Sequence, residues 1–337
     1  MADNFFCLDI GEKYTKIADA AKKGNLIEVN HLGKIATEEN FFSTEAEKSL
    51  EKQTQAITTL YQSLKLTKKN VNIVIPGSFT YSQILTMPAL NEKELISAIK
   101  YQADQFIPMP VEETNIDLEI IAELPAEKKI LILIVAAPKR LIEKVQNSVE
   151  AAGLVPEIIE SELSASSRLI TLFSPIFNPQ KEDGIVALNF GLNSTNISYF
   201  EPKTYNIKES HAFSVGYQLF LKEIQINSEL DKKRAEETLL TYDPKNKSSI
   251  PVDTITRPLL AEFVTEIKRF IANKKISALY LFNNVFMFPA LPQMLSDQLG
   301  VKAFELNPYS FSSKTPLVQS FQHEMSIYVP SLGGNFR

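Results

Sequence analysis

Two short stretches decide the fold: Leu8-Asp9-Ile10-Gly11 near the start and Leu188-Asn189-Phe190-Gly191 past the middle. Each closes an apolar run, at 5–10 and 185–190, with an acid or its amide, an apolar residue and a glycine. A short turn follows each one, then a second run of strand character at 15–20 and 195–200. After the first pair, Lys22-Lys23-Gly24-Asn25 turns the chain into a third strand at 26–32, so this part reads as a meander. One local pattern used twice is an internal repeat, and a repeat of this kind implies two related halves.

Working outward, a helix is expected over 43–63 and a short buried strand at 72–75, closed by Pro76-Gly77. A different unit begins there. Residues 80–87 alternate like a strand. Asn91 reads as an N-cap, with Glu94 as its capping-box partner and Ile96, Ile99, Ala103 and Phe106 on one helical face. Pro108-Met109-Pro110 ends that helix. Strands are expected at 116–121 and at 130–137, the latter apolar throughout and buried on both faces. Pro138 opens a helix that Gly153 closes, and 160–173 reads as another helix before a linker at 174–183. Beyond the second hairpin come helices at 217–226, 231–240 and 259–272, a strand at 278–282 and a helix at 289–299. The end, Gly333-Gly334-Asn335-Phe336-Arg337, has no periodicity.

The totals exclude several classes. With 337 residues, 44% apolar and 22% charged, the chain is long enough for two compact domains and far from the composition of disorder. A net charge of −5 argues against nucleic acid as a partner, because phosphate backbones demand a basic surface. Cys7 is the only cysteine, so no internal disulfide exists, and it reads as a small buried hydrophobe. The longest apolar stretch, 130–137, falls well short of the roughly 20 residues that span a bilayer. Met1-Ala2-Asp3-Asn4 has no basic n-region of a signal peptide. A cytoplasmic protein is expected, peripheral to the inner membrane only through partners. His31, His211 and His323 show no metal-ligand spacing, and no Walker loop or nucleophile elbow is present.

The repeat has a chemical meaning. Two hairpins that face each other across a cleft can cradle a nucleotide's phosphates on backbone N–H groups while their acids hold its metal. That arrangement belongs to the actin, Hsp70 and sugar-kinase superfamily, an α/β fold of duplicated ribonuclease-H-like domains. Within it, the chain resembles the PilM family of type IV pilus assembly proteins, with FtsA-type division proteins further away. The resemblance covers most of the chain. It rests on Leu8-Asp9-Ile10-Gly11 with Thr15-Lys16-Ile17, on Ile75-Pro76-Gly77-Ser78 and on Met87-Pro88-Ala89-Leu90. More specific are Tyr101-Gln102-Ala103-Asp104-Gln105-Phe106-Ile107-Pro108-Met109-Pro110, Val135-Ala136-Ala137-Pro138-Lys139 and Ala151-Ala152-Gly153-Leu154-Val155-Pro156. Glu266-Ile267-Lys268-Arg269, Gly300 and Asn307-Pro308 also fall where the family has similar residues.

The resemblance implies an actin-like fold with an inserted subdomain 1C at 79–156. Subdomain 1A is then 1–78 with 157–174 and 316–337, and the second domain is 184–315, with a 2B part at about 228–274. It also implies a cytoplasmic scaffold that captures the N-terminal tail of a PilN-like bitopic inner-membrane protein in a groove between 1A and 1C. Such a peptide adds main-chain hydrogen bonds and inserts apolar side chains into pockets. Other pilus components, including the assembly motor, and self-association are further implied partners. The implied cofactor is ATP with Mg. Its site would be Asp9 (also the metal-side carboxylate), Gly11, Thr15, Lys16, Asn189, Gly191, Asn193, Ser194, Thr195, Glu266, Arg269, Asn283 and Asn284.

The sequence departs from an active ATPase at three places. Glu12 stands where the family carries a small hydroxyl residue, and a desolvated carboxylate there repels a triphosphate. Asn189 replaces the second acid and loses its charge. Phe282-Asn283-Asn284 stands where the family has a glycine run, and asparagine takes left-handed conformations at a cost that glycine does not have. Phe286 and Phe288 add bulk there, unless the loop has shifted by one residue. Asp9 also reads as a turn-capping residue, and Ser194 and Thr195 as ordinary turn and strand residues. Glu160 and Glu162 are the candidates to orient a water, or an exposed helix start favouring the dipole. A scaffold with a degenerate nucleotide site is therefore expected rather than an efficient enzyme. The alternatives are a slowly hydrolysing, ATP-gated relative and a division protein. The last is disfavoured because FtsA-like chains end in a membrane-targeting helix, whereas this one ends at Arg337.

Overall fold

The structure, a computed structural model, describes residues 5–90, 94–95, 97–99, 107–179, 182–246 and 249–337. The chain forms two compact units: 1–172 with 315–318 and 330–337, and 173–314 with 319–329.

In the first unit, β1 (Phe5–Ile10), β2 (Tyr14–Lys23) and β3 (Leu26–Ala36) form the meander, followed by α1 (Glu47–Ser63) and β4 (Asn70–Ile75). An insert of β5 (Tyr81–Pro88), β6 (Thr114–Leu124) and β7 (Lys129–Pro138) precedes α2 (Lys139–Ala151), β8 (Val155–Ser161) and α3 (Glu162–Phe177). The main sheet runs β3-β2-β1-β4-β8, with β1, β4 and β8 parallel. Alternation along β1 explains its two faces. Phe6, Leu8 and Ile10 are buried with Ile57 and Leu60 of α1 and Val145 and Val149 of α2. Cys7 points the other way, onto Val74 and Ala165 of α3.

The insert has its own antiparallel sheet, β5-β7-β6. Ile130, Ile132 and Ile134 of central β7 pack with Leu95 and Ile99, which lie in a described helical stretch. The expected N-cap Asn91 and the helix positions Ile96, Ala103 and Phe106 fall outside the described residues. Val145 and Val149 of α2 enter the core that covers β1, together with Ala137 at the end of β7.

The second unit contains β9 (Gly184–Phe190), β10 (Thr195–Phe200), β11 (Ile207–Phe213), α4 (Tyr217–Ser228), α5 (Lys232–Thr241) and α6 (Val252–Ile271). It continues with β12 (Ile276–Asn283), α7 (Leu291–Leu299) and β13 (Ala303–Glu305). Its sheet order, β11-β10-β9-β12-β13, repeats the first sheet strand for strand, again with parallel fourth and fifth strands. Even the hairpin register repeats: Ile10 pairs with Thr15, and Phe190 with Thr195. The molecule is thus an α/β, actin-like protein of two ribonuclease-H-like halves with an insert after β4.

Several expected boundaries move. Residues 160–161 end a strand instead of opening a helix, because β4 needs a neighbour: Ile159 pairs with Ile73 and Glu160 with Val74. The helix expected over 43–63 starts at Glu47, since Lys144 Nζ donates to the carbonyls of Phe41 and Thr44 and holds that stretch as a loop. The expected linker at 174–183 is helical through Phe177 despite Pro175, and Phe177 packs on Tyr280 and Phe311. Helix α6 begins at Val252, before Pro258, because Val252, Thr256, Leu260, Phe263 and Ile267 share one buried face. Phe263 of this helix meets Phe190 of β9 edge-on at 5.8 Å. Residues 319–329 return to the second unit, where Met325, Ile327 and Tyr328 are buried, although 316–337 reads as part of the first domain.

The aperiodic end packs closely against the first unit. A Cβ on Gly333 would lie 1.9 Å from the Ala165 carbonyl, and one on Gly334 2.4 Å from Cys7 Sγ. The bare backbone lets Asn335 dock on β2, accepting from Ala20 N–H at 3.2 Å and donating to the Ala18 carbonyl at 3.0 Å.

Candidate functional site

In the first unit, the β1–β2 turn is closed by Gly11 N–H donating to the Tyr14 carbonyl at 3.0 Å. The approach is so close that a Cβ on Gly11 would meet that oxygen at 2.9 Å. Thr37, just past the end of β3, fastens the turn, its hydroxyl donating to the Gly11 carbonyl at 2.8 Å. Thr15 is buried beside Thr37, and Gln53 of α1 donates to its hydroxyl at 2.8 Å. Lys16 reaches back to Asp9 at 2.7 Å, with both side chains buried. Burial pushes the Asp9 carboxyl up, and Lys16 only partly offsets this. Glu12, at the tip of the turn, accepts from Ser78 Oγ at 2.8 Å.

The equivalent loop of the second unit is held by amides. Asn283 Nδ2 donates to Asn189 Oδ1 at 2.8 Å, and Asn284 Nδ2 to the Phe190 carbonyl at 3.3 Å. Asn283 sits at φ +71° and ψ −120°, a conformation that glycine tolerates best. Gly191 and Leu192 spend their carbonyls on the first turn of α4, accepting from Tyr217 N–H at 3.0 Å and Gln218 N–H at 2.8 Å. Thr195 is buried and donates to the Val215 carbonyl at 2.6 Å. Asn193 is exposed and Ser194 half-buried. Glu266 and Arg269 pair with each other at 2.9 Å, and Glu266 lies 3.6 Å from His211 on edge strand β11.

Neither Glu160 nor Glu162 is an exposed helix start; both are buried. Arg168 grips both oxygens of Glu160, at 3.2 and 2.8 Å. Glu162 Oε2 accepts from Gly77 N–H at 3.2 Å. A carboxylate held this way positions backbone and neighbours through charge-assisted bonds. Among the described residues, no group of three or more His, Cys, Asp and Glu is placed to hold a metal ion.

A larger feature lies in the first unit between the insert and the loops of the main sheet. It is a groove of about 520 Å³. Phe41 and Phe42 form one wall, Phe79 and Tyr81 the other, with Met109 and Leu141 completing the apolar lining. Phe42 and Phe79 stack on each other at 4.6 Å, so the two walls meet there. Arg140, Lys144 and Glu45 are its charged groups. Burial pulls the Lys144 ammonium below its ordinary value, opposed by Glu45. Its Nζ also lies 4.9 Å from the centre of the Phe41 ring. These residues escape sequence reading because they come from segments up to a hundred positions apart. The one local signal is Phe41-Phe42 in an otherwise polar loop. A second cavity, of about 110 Å³, lies between β6 and β8 and is lined by Asp117, Glu119, Glu160 and Ser164.

Residues 7–333 match the family described as Type IV pilus assembly protein PilM. Among solved structures, a PilM-PilN type IV pilus biogenesis complex is similar with a TM-score of 0.83 at 19% identity, over 100% of this chain and 99% of that one. The ethanolamine utilization protein EutJ from Carboxydothermus hydrogenoformans follows at 0.56 and 12% identity, over 98% and 88%. Component A of the Acidaminococcus fermentans (R)-2-hydroxyglutaryl-CoA dehydratase stands at 0.50 and 10%, over 98% and 96%. At these identities the solved structures speak for the fold alone. The family match runs from β1 into the final glycine pair and takes in both hairpins and the insert between them, so this chain belongs to the type IV pilus assembly protein PilM family.

Proposed function

We propose that the chain is a cytoplasmic scaffold of a type IV pilus, or related secretion-type, assembly machine, and that its groove takes the N-terminal cytoplasmic tail of a PilN-like membrane protein. The observation that carries this reading is the aromatic groove itself. A short tail loses much conformational freedom on binding and needs deep apolar pockets in return. Burying one Leu or Phe side chain contributes about 1.5–3 kcal/mol. The part-buried Phe42, Phe79, Tyr81 and Leu141 offer such pockets, and Arg140 and Lys144 sit beside them. The similar structure named as a PilM-PilN complex supports the choice of partner. No helix among the described residues is long and apolar enough to cross a membrane, which fits attachment through a partner. The family match favours this role over cell division. The assembly motor and a second copy of the chain are further partners within the same reading.

We also read the nucleotide site as degenerate. The residues present fit ATP with Mg poorly. Asp9 is buried and engaged by Lys16 at 2.7 Å, which supports a structural ion pair over metal-side service. Glu12 places a carboxylate on the turn where phosphate would approach. Asn283 fills the space beside Asn189 with a side-chain amide. Thr195 spends its hydroxyl on the backbone.

The test is fluorescence anisotropy with a labelled peptide of the cognate PilN-like tail. Wild type should bind at micromolar concentration, and Phe79→Ala and Leu141→Ala should each weaken binding by about tenfold while the circular dichroism spectrum is kept. A wild type that ignores the peptide, or groove variants that bind like wild type, would sink the reading. Calorimetry with Mg-ATP addresses the second part: micromolar binding lost in Asp9→Ala would establish a nucleotide-gated scaffold instead.

A further inference from the structure

We propose that Glu12 is a positioning residue of the groove, a built-in carboxylate that ties the β1–β2 turn to the entrance of the insert and sets the groove walls without any bound anion. This rests on the groove reading above. The turn touches both walls. On one side, Thr37 donates its hydroxyl to the Gly11 carbonyl at 2.8 Å and its N–H to the Lys13 carbonyl at 3.1 Å. Four residues further on, Phe41 and Phe42 form the first wall. On the other side, Ser78 Oγ donates to Glu12 Oε1 at 2.8 Å, and Phe79, the next residue, stacks on Phe42.

The insert leaves the main sheet through Pro76-Gly77, where the glycine allows the widest range of backbone conformations. Two carboxylates hold this exit at adjacent residues. Glu162, at the start of α3, takes the N–H of Gly77 at 3.2 Å. Glu12 takes the hydroxyl of Ser78. The tight 76–80 bend, with Phe79 N–H donating to the Pro76 carbonyl at 3.2 Å, converts the placement of Ser78 into that of the Phe79 ring. A carboxylate accepting from a hydroxyl is a charge-assisted bond, stronger than a neutral one. Glu162 is buried and fixes the root of the hinge. Glu12 lies at the surface and links that hinge to the turn, so a change at the turn is carried to the groove wall. The negative charge at the tip also means that an anion is repelled from this linkage rather than needed for it.

The experiment combines tail-peptide anisotropy with amide hydrogen exchange of residues 77–81 without peptide, in wild type, Glu12→Ala, Glu12→Gln, Ser78→Ala and the double alanine variant. Glu12→Ala and Ser78→Ala should each weaken peptide binding about three- to tenfold, and the double variant should be no weaker than either single one. Glu12→Gln keeps an oxygen that accepts from Ser78 and should stay within about twofold of wild type. Exchange at 78–80 should quicken in Glu12→Ala. Unchanged exchange, wild-type affinity in Glu12→Ala, or additive losses in the double variant would overturn the proposal. If wild type holds no peptide at all, the groove reading fails by itself, and the exchange arm still decides whether Glu12 sets the hinge.

Discussion

Asn283 offers a measurement with an inverted sign. At most positions glycine is less stable than alanine by roughly 0.5–1 kcal/mol, because it loses more backbone entropy on folding. Asn283 sits at φ +71° and ψ −120°, where a Cβ is strained by about 1–3 kcal/mol. Its amide also donates to Asn189 Oδ1 at 2.8 Å, and both side chains are buried. Asn283→Gly and Asn283→Ala both lose that bond, at a cost of about 1–3 kcal/mol for the stranded acceptor. They differ only in what the backbone tolerates. After the entropy penalty is subtracted, Asn283→Gly should be the more stable of the two by about 1 kcal/mol. Urea unfolding, followed by a probe in the second unit, measures both variants at equal m-value. An alanine variant as stable as the glycine variant would refute the strain, and with it the argument that this loop pays a conformational cost.

Asp9→Asn should cost about 3–5 kcal/mol, because it leaves the buried Lys16 ammonium without its carboxylate at 2.7 Å; urea unfolding checks this, and a loss under about 1 kcal/mol would contradict it. Cys7 is buried, and burial followed by the Asp9 charge pushes its thiol well up, so a thiol reagent at neutral pH should label it only as fast as the first unit opens. Labelling at the rate of a free thiol in native protein would show that β1 is not sealed. Burial pushes the Tyr280 phenol up to about 12. An unfolded tyrosine titrates near about 10, so the folded form holds its proton longer, and the stability this contributes is present below about 10 and lost as pH rises toward 12. Alkaline unfolding midpoints should therefore rise in Tyr280→Phe relative to wild type, and an unchanged midpoint would count against the buried phenol.

The pairing of the two hairpins is legible in the amino-acid sequence, since Leu8-Asp9-Ile10-Gly11 and Leu188-Asn189-Phe190-Gly191 carry their register locally: a strand end, a glycine that admits the close Tyr14 carbonyl, and a returning strand. The apolar runs of β1 and β7 likewise report their own burial. At the candidate nucleotide loops, the residues named from sequence do meet in part, as Asn189 does Asn283, whereas Glu266, paired with Arg269, lies against His211 of the edge strand β11. Packing decided the rest. Residues 155–161 became a strand because β4 had an open edge, and residues 303–305 because β12 had one, which no three-residue pattern could announce. The aperiodic Gly333-Gly334-Asn335 has no local signal at all, because its reason is the carbonyl of Ala165 and the sulfur of Cys7, both distant in the chain. The groove is of the same kind: Phe41, Phe79 and Lys144 acquire a joint meaning only where three separate segments converge. Local sequence encodes which face of an element is apolar and where the chain turns. Which faces meet, and which carboxylates end up desolvated beside a cation, follows from the free energy of burying the whole chain at once.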